Sequence, residues 1–132
     1  MRVGIILSSS VVANPELFGA WVRATLQALV LTNRWLIQRA GGRFPELYRA
    51  GVRFRREPDG EETFRDCANV LRRGGGDCAH LCAWRVAELQ ERGEAAGVRV
   101  QWPNTRKRPR VFHVQVRRAS GAIEDPSRLL GM

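Results

Sequence analysis

Three residues in the second half of the chain, Cys78, His113 and Asp125, have the types needed for thiol chemistry on a carbonyl group. Cys78 follows Gly74-Gly75-Gly76-Asp77 and opens a stretch of helical period, so the spacing places it one residue into a helix. A helix N-terminus offers unpaired N–H groups and the positive end of the dipole, which favour a thiolate and can hold a developing oxyanion. Cys78 is therefore expected to be a nucleophile of lowered pKa, and the three glycines to let a substrate backbone come close to it. A small buried cysteine is the competing reading, and it yields only if a base is at hand. In Val111-Phe112-His113-Val114-Gln115-Val116 the apolar residues take one strand face, leaving His113 with Gln115 on the other. His80, the second histidine, is two residues from Cys78 on the same helix and points away from the thiol, so it is set aside.

The third residue depends on a register. If the turn after this strand is Ala119-Ser120-Gly121 with Gly121 left-handed, Arg118 pairs with Ala122 and Asp125 falls opposite Gln115. Asp125 then shares a face with His113, one diagonal step away. A two-residue turn would put Asp125 on the opposite face.

These residues need scaffolding. Asn14-Pro15-Glu16 reads as a helix start and Gly41-Gly42 as a stop, giving a helix to about Arg39 with apolar residues round most of its circumference. A short strand at 51–54 and a weaker helix over 61–72 follow. The helix at Cys78 is expected to pack one face, Cys78, Leu81, Cys82, Val86 and Leu89, and to stop at Gly93. Arg85 falls on that stripe, so a carboxylate or carbonyl partner is expected for it. From Gly97 the period changes to two: Val98, Val100 and Trp102, then Phe112, Val114 and Val116, then a short strand ended by Pro126. Helices followed by an antiparallel sheet imply an α+β fold, N-terminal helices packed on a small antiparallel sheet. The expected organisation is a single domain, with an N-terminal strand and helix scaffold over 1–42 and a catalytic core over 61–132.

Composition bounds the function. The chain has 132 residues, is 44% hydrophobic and carries a net charge of +9, which suits one folded domain and excludes disordered and collagen-like classes. Leu17–Leu31 is interrupted by Arg23 and Gln27 and falls short of the ~20 residues of a membrane span. The start lacks the apolar length and cleavage pattern of a secretory signal. Three cysteines fit a reducing compartment, with Cys67 and Cys82 read as buried small residues. Between Ala95 and Ile123 there is no acid and there are seven basic residues, Arg99, Arg106, Lys107, Arg108, Arg110, Arg117 and Arg118. They read as a solvated face with a flexible loop at 103–109. The competing reading is a landing surface for an acidic protein substrate or a nucleic acid; no stacking aromatics are interleaved, so nucleic acid is the weaker partner. Trp84 and Trp102 read as core.

Gly76-Asp77-Cys78 opening a helix, His113-Val114 entering a strand and Asp125-Pro126-Ser127 after the next strand resemble the transglutaminase-like superfamily of papain-type thiol enzymes. Leu71-Arg72-Arg73-Gly74, the stretch Ala83–Leu89 and the stretch Tyr48–Pro58 resemble small bacterial and phage-associated members, over roughly residues 45–132. The resemblance implies a papain/transglutaminase-like core with Cys78 as nucleophile, His113 as general base and Asp125 orienting the imidazole. It implies acyl transfer or amide hydrolysis through a thioester on a protein or peptide substrate, with no cofactor and no metal. A bacterial cytoplasmic location, or association with a phage-like particle, follows from the same likeness. Such proteins commonly carry acids directly after the cysteine, where this chain has Ala79 and His80. Because the superfamily includes idle members, a structural or assembly component of a phage-like particle is the alternative, and a basic nucleic-acid-binding module a third. Cys78, Cys82 and His113 as metal ligands are a poor match to zinc spacings.

Overall fold

The computed structural model describes residues 1–58, 60–102 and 112–132. Its helices are α1 (Ser9–Val12), α2 (Pro15–Arg39), α3 (Cys67–Arg73), α4 (Cys78–Glu91) and α5 (Pro126–Leu129). Its strands are β1 (Arg53–Phe54), β2 (Gly75–Gly76), β3 (Gly97–Gln101), β4 (His113–Arg117) and β5 (Ile123–Glu124). The class is α+β. Strands β3, β4 and β5 form an antiparallel sheet in that order, while β1, which lies within the short strand expected at 51–54, forms a separate parallel pair with β2, a strand the sequence did not announce.

Helix α2 starts where its residues require. The Asn14 side chain accepts a hydrogen bond from the Leu17 N–H at 3.1 Å, and Pro15 occupies the first turn, where its missing N–H costs nothing. Gly41 and Gly42, both left-handed, carry the chain away from it. Its apolar surface is narrower than the sequence suggests: Phe18, Val22, Leu26, Leu29 and Val30 are buried, but Leu31 and Trp35 stand more than half in solvent. The helix is amphipathic because one face alone meets α4 and the sheet.

Helix α4 has the opposite outcome. Instead of one buried face it is enclosed nearly all round, Ala79, Leu81, Cys82, Ala83, Trp84, Val86, Ala87 and Leu89 all being buried. The reason is its central position: Cys82, Ala83 and Val86 join the α2 face, Val114 and Val116 in one apolar cluster, while Leu81 and Trp84 join Leu47, Val52, Val70 and Leu130 in another. Trp84 is fully buried, with Phe44 edge-on at 5.4 Å. Trp102 is 38% exposed and covers Phe18 and Phe112 from outside.

Two further expectations are corrected. Helix α3 begins at Cys67 rather than near residue 61, because Asp66 caps it through the Asn69 N–H and the preceding residues run extended. Residues 1–8 form no strand; they are exposed chain leading into α1. The glycines have a different use as well. Gly74 is left-handed and ends α3. A Cβ on Gly75 would strike the Arg53 carbonyl and the Arg55 stem, and one on Gly76 would meet the His80 side chain at 2.8 Å. The pair Gly75-Gly76 lets β2 lie against β1 and the His80 ring, which is a packing role and not an opening for substrate.

The hairpin register is the expected one. Arg117 pairs with Ile123 and Val116 with Glu124, the Arg118 N–H bonds the Ala122 carbonyl at 2.8 Å, and Gly121 is left-handed at φ 90°. Val114 and Val116 face the core, leaving His113 and Gln115 on the other side of β4. No helix among the described residues is long and apolar enough to cross a membrane.

Candidate active site

The start of α4 is held by a reciprocal cap. The Asp77 carboxylate accepts from the His80 N–H at 3.2 Å, and the Asp77 N–H donates to His80 Nδ1 at 3.1 Å. With Nδ1 accepting, the ring proton sits on Nε2 and is donated to the Thr63 carbonyl. His80 is fully buried, and both nitrogens are committed. The histidine set aside as a base is thus a structural ring, in a capping box whose third residue is more often Glu or Gln.

Cys78 is the first residue of α4, as expected, and its side chain lines a cleft of about 660 Å³. Its acidity is not as expected. Burial pushes the thiol up to about 12, and the charge of Asp77 adds to the rise, while N–H groups of Val114 and Ala79 act against it. The helix dipole does not win because burial first, and then the negative charge of Asp77, disfavour the thiolate. Cys78 is a protonated thiol at rest.

The geometry around Val114 explains how α4 meets the sheet. In an antiparallel ladder the main-chain groups of alternate residues point to the same edge, and Arg118 bonds toward β5. Val114 therefore directs its groups to that edge too, beyond the end of β5, where two cysteines of α4 meet them. The Cys82 thiol donates to the Val114 carbonyl at 3.1 Å, and the Val114 N–H reaches Cys78. Cys67 and Cys82 are fully buried, and burial raises both thiols.

His113 and Asp125 meet directly. His113 Nε2 lies 2.8 Å from Asp125 Oδ2, and Gln115 Nε2 donates to the same oxygen at 3.3 Å. Burial acts to raise the Asp125 carboxyl, but the hydrogen bonds from His113 and Gln115 outweigh it and leave the group below the usual carboxylate range. An ionised Asp125 accepts the Nε2 proton, so Nδ1 is the nitrogen left to act as a base. Asp125 also caps α5 through the Arg128 N–H. His113 lines the same cleft as Cys78, although among the described residues the two form no hydrogen bond with each other. The three residues singled out by spacing thus stand as a hydrogen-bonded His–Asp couple and a separate thiol across one cleft.

Arg85 has the partners its position demanded. Its Nε donates to Glu124 at 2.7 Å and its Nη1 to Glu88 at 2.9 Å, with the guanidinium 4.8 Å from the Tyr48 ring centroid. Tyr48 and Arg118 also donate to Glu124, the residue before Asp125. Replacing Arg85 by Met leaves the buried Glu88 and the partly buried Glu124 with one cation fewer, and is expected to cost about 2–3 kcal/mol in urea unfolding. A loss under about 0.5 kcal/mol would show the network to be ornamental.

The basic stretch is only partly in view. Arg106, Lys107, Arg108 and Arg110 lie outside the described residues, as does the loop expected at 103–109. Arg118 is bound to Glu94 and Glu124, and Arg99 donates to Gln115, so these two are engaged within the chain. The sequence reading missed the acids at the cleft: Glu57, Glu61, Glu62 and Asp77 line it. For Glu57, Glu61 and Glu62 the signal was the acidic run upstream of Arg65. Glu57, Asp77 and His80 bring ligand atoms within 4.8 Å of one another. The ring nitrogens are both bonded and Glu57 is paired with Arg65 and Arg73, so this trio is a capping and ion-pair cluster without a free imidazole lone pair for a metal. Comparisons with protein families, curated proteins and solved structures find no match to this chain.

Proposed function

We propose that the protein is a thiol-dependent enzyme of the transglutaminase-like, papain-type class, transferring an acyl group or hydrolysing an amide of a protein or peptide. The observation that carries this reading is the 2.8 Å His113–Asp125 couple on the polar face of β4, lining the cleft that the Cys78 thiol also lines. Because the thiol rests protonated, His113 Nδ1 removes its proton as sulfur attacks the carbonyl carbon. The imidazolium, held by Asp125, then gives that proton to the leaving amine as the C–N bond breaks, and a thioester remains on Cys78. Water or an amine, deprotonated by His113, attacks the thioester, and the proton returns to the departing sulfur. The central thiol-bearing helix against a histidine strand supports a papain/transglutaminase-like core.

One observation favours the idle reading, a structural or particle-assembly component: the thiol is held at about 12 without a hydrogen bond to His113. Iodoacetamide labelling with site mapping separates the two. Cys78 is expected to react first, but Cys67 and Cys82 are fully buried, so order alone reports exposure. The informative result is a labelling rate at Cys78 that falls at least about tenfold in His113→Ala; an unchanged rate supports the idle reading.

A further inference from the structure

A net charge of +9 suggests a basic cleft, yet the described wall of this one carries four acids, Glu57, Glu61, Glu62 and Asp77, against a single arginine, Arg56. Glu57 is neutralised by Arg65 and Arg73, and Asp77 is occupied in capping α4. Glu61 and Glu62 form no side-chain ion pair or hydrogen bond among the described residues. Glu62 is itself an exposed residue at the cleft, and its carboxyl is raised to about 7, by desolvation against the neighbouring chain first and then by the charges of Asp77 and Glu57. A carboxylate among carboxylates gains most from a cation that a ligand brings. Aromatic rings, Trp21, Phe54, Phe64 and Phe112, line the same cleft and suit an apolar stem.

We propose that the thiol cleft selects an acyl donor carrying a guanidinium or ammonium group on an apolar stem, an arginine or lysine side chain beside the reacting carbonyl, with Glu62 meeting the cation. This selectivity rests on the thiol-enzyme reading and adds a substrate class to it. It runs opposite to the competing reading of the basic stretch, a landing surface for an acidic substrate.

The test uses two alkylating reagents matched in size, the chloromethyl ketone of N-acetyl-arginine and its neutral isostere, the chloromethyl ketone of N-acetyl-citrulline, which carry the side chain on the acyl side of the reacting carbon. Each reacts by forming a bond from the Cys78 sulfur to the methylene carbon as chloride leaves and the thiol proton passes to His113 or buffer. Rates at Cys78 are followed by peptide mapping on the full chain. At low ionic strength the arginine reagent is expected to react about fivefold faster, the size of a partly exposed ion pair. The ratio is expected to fall toward one in Glu62→Gln and, in the unaltered protein, as salt rises to about 1 M. Equal rates for the two reagents, or a ratio that survives Glu62→Gln, overturn the proposal. If both rates are equal but fall together in His113→Ala, only the cation selectivity is lost. If neither rate depends on His113, the thiol-enzyme reading is the one that fails.

Discussion

Replacing His113 by Ala is expected to slow acylation of Cys78 by an activated ester about a hundredfold or more, the scale of a lost general base. The size follows from the resting state of the thiol. A cysteine already ionised would keep much of its reactivity without the imidazole, but Cys78 is held up at about 12 by burial and by Asp77, so almost none is thiolate near neutrality. In His113→Ala the residual rate should track thiolate alone. The sign is unambiguous: a raised acid ionises as pH rises, so the rate climbs about tenfold per unit from about pH 7 to about pH 9 without a plateau. A plateau in that range would mean that the thiol is far more acidic than its surroundings dictate. Asp125→Ala is expected to act in the same direction by freeing the ring, and its stability must be measured alongside, because Asp125 also caps α5.

The second large effect is on folding. Trp84→Ala is expected to cost about 3–5 kcal/mol in chemical unfolding, the range for deleting a buried aromatic. Trp84 is fully buried among Leu47, Val70, Leu81 and Leu130, with Phe44 against its face. Whole domains are stable by only about 5–15 kcal/mol, so the variant would be marginal. The same helix carries Cys78 at its start, and thiol accessibility should rise at Cys82 as the helix loosens. A loss under about 1 kcal/mol would place the core elsewhere.

How much of this was legible in the chain depends on the kind of signal each element carries. Helix α2 was readable at both ends because caps are local: Asn14-Pro15 and Gly41-Gly42 state their conformations without help from the rest of the fold. The hairpin was readable for the same reason, since a left-handed Gly121 in a three-residue turn dictates register and so carries Asp125 to His113. Arg85 announced its carboxylates by falling on an apolar stripe. Strand β1 was readable within 51–54, but β2 and its pairing with β1 were not, because Gly75-Gly76 has no side chains to alternate. The burial of α4 on nearly all faces depends on what surrounds it, which no pattern within the helix reports. The thiol's acidity was misjudged because the burial of Cys78, the larger cause, and the effect of the Asp77 charge on it depend on tertiary packing, and the acids of 57–62 reach the cleft only through tertiary structure.

The central claim, that Cys78 forms an acyl thioester with His113 as its base, is tested most directly by treating the protein with p-nitrophenyl acetate and mapping the acetyl group by mass spectrometry. The account predicts one acetyl group per chain on Cys78, discharged when an amine is added, and its near absence over the same interval in His113→Ala. Acetylation confined to other nucleophiles such as Lys107, or equal acetylation of Cys78 with and without His113, would contradict it.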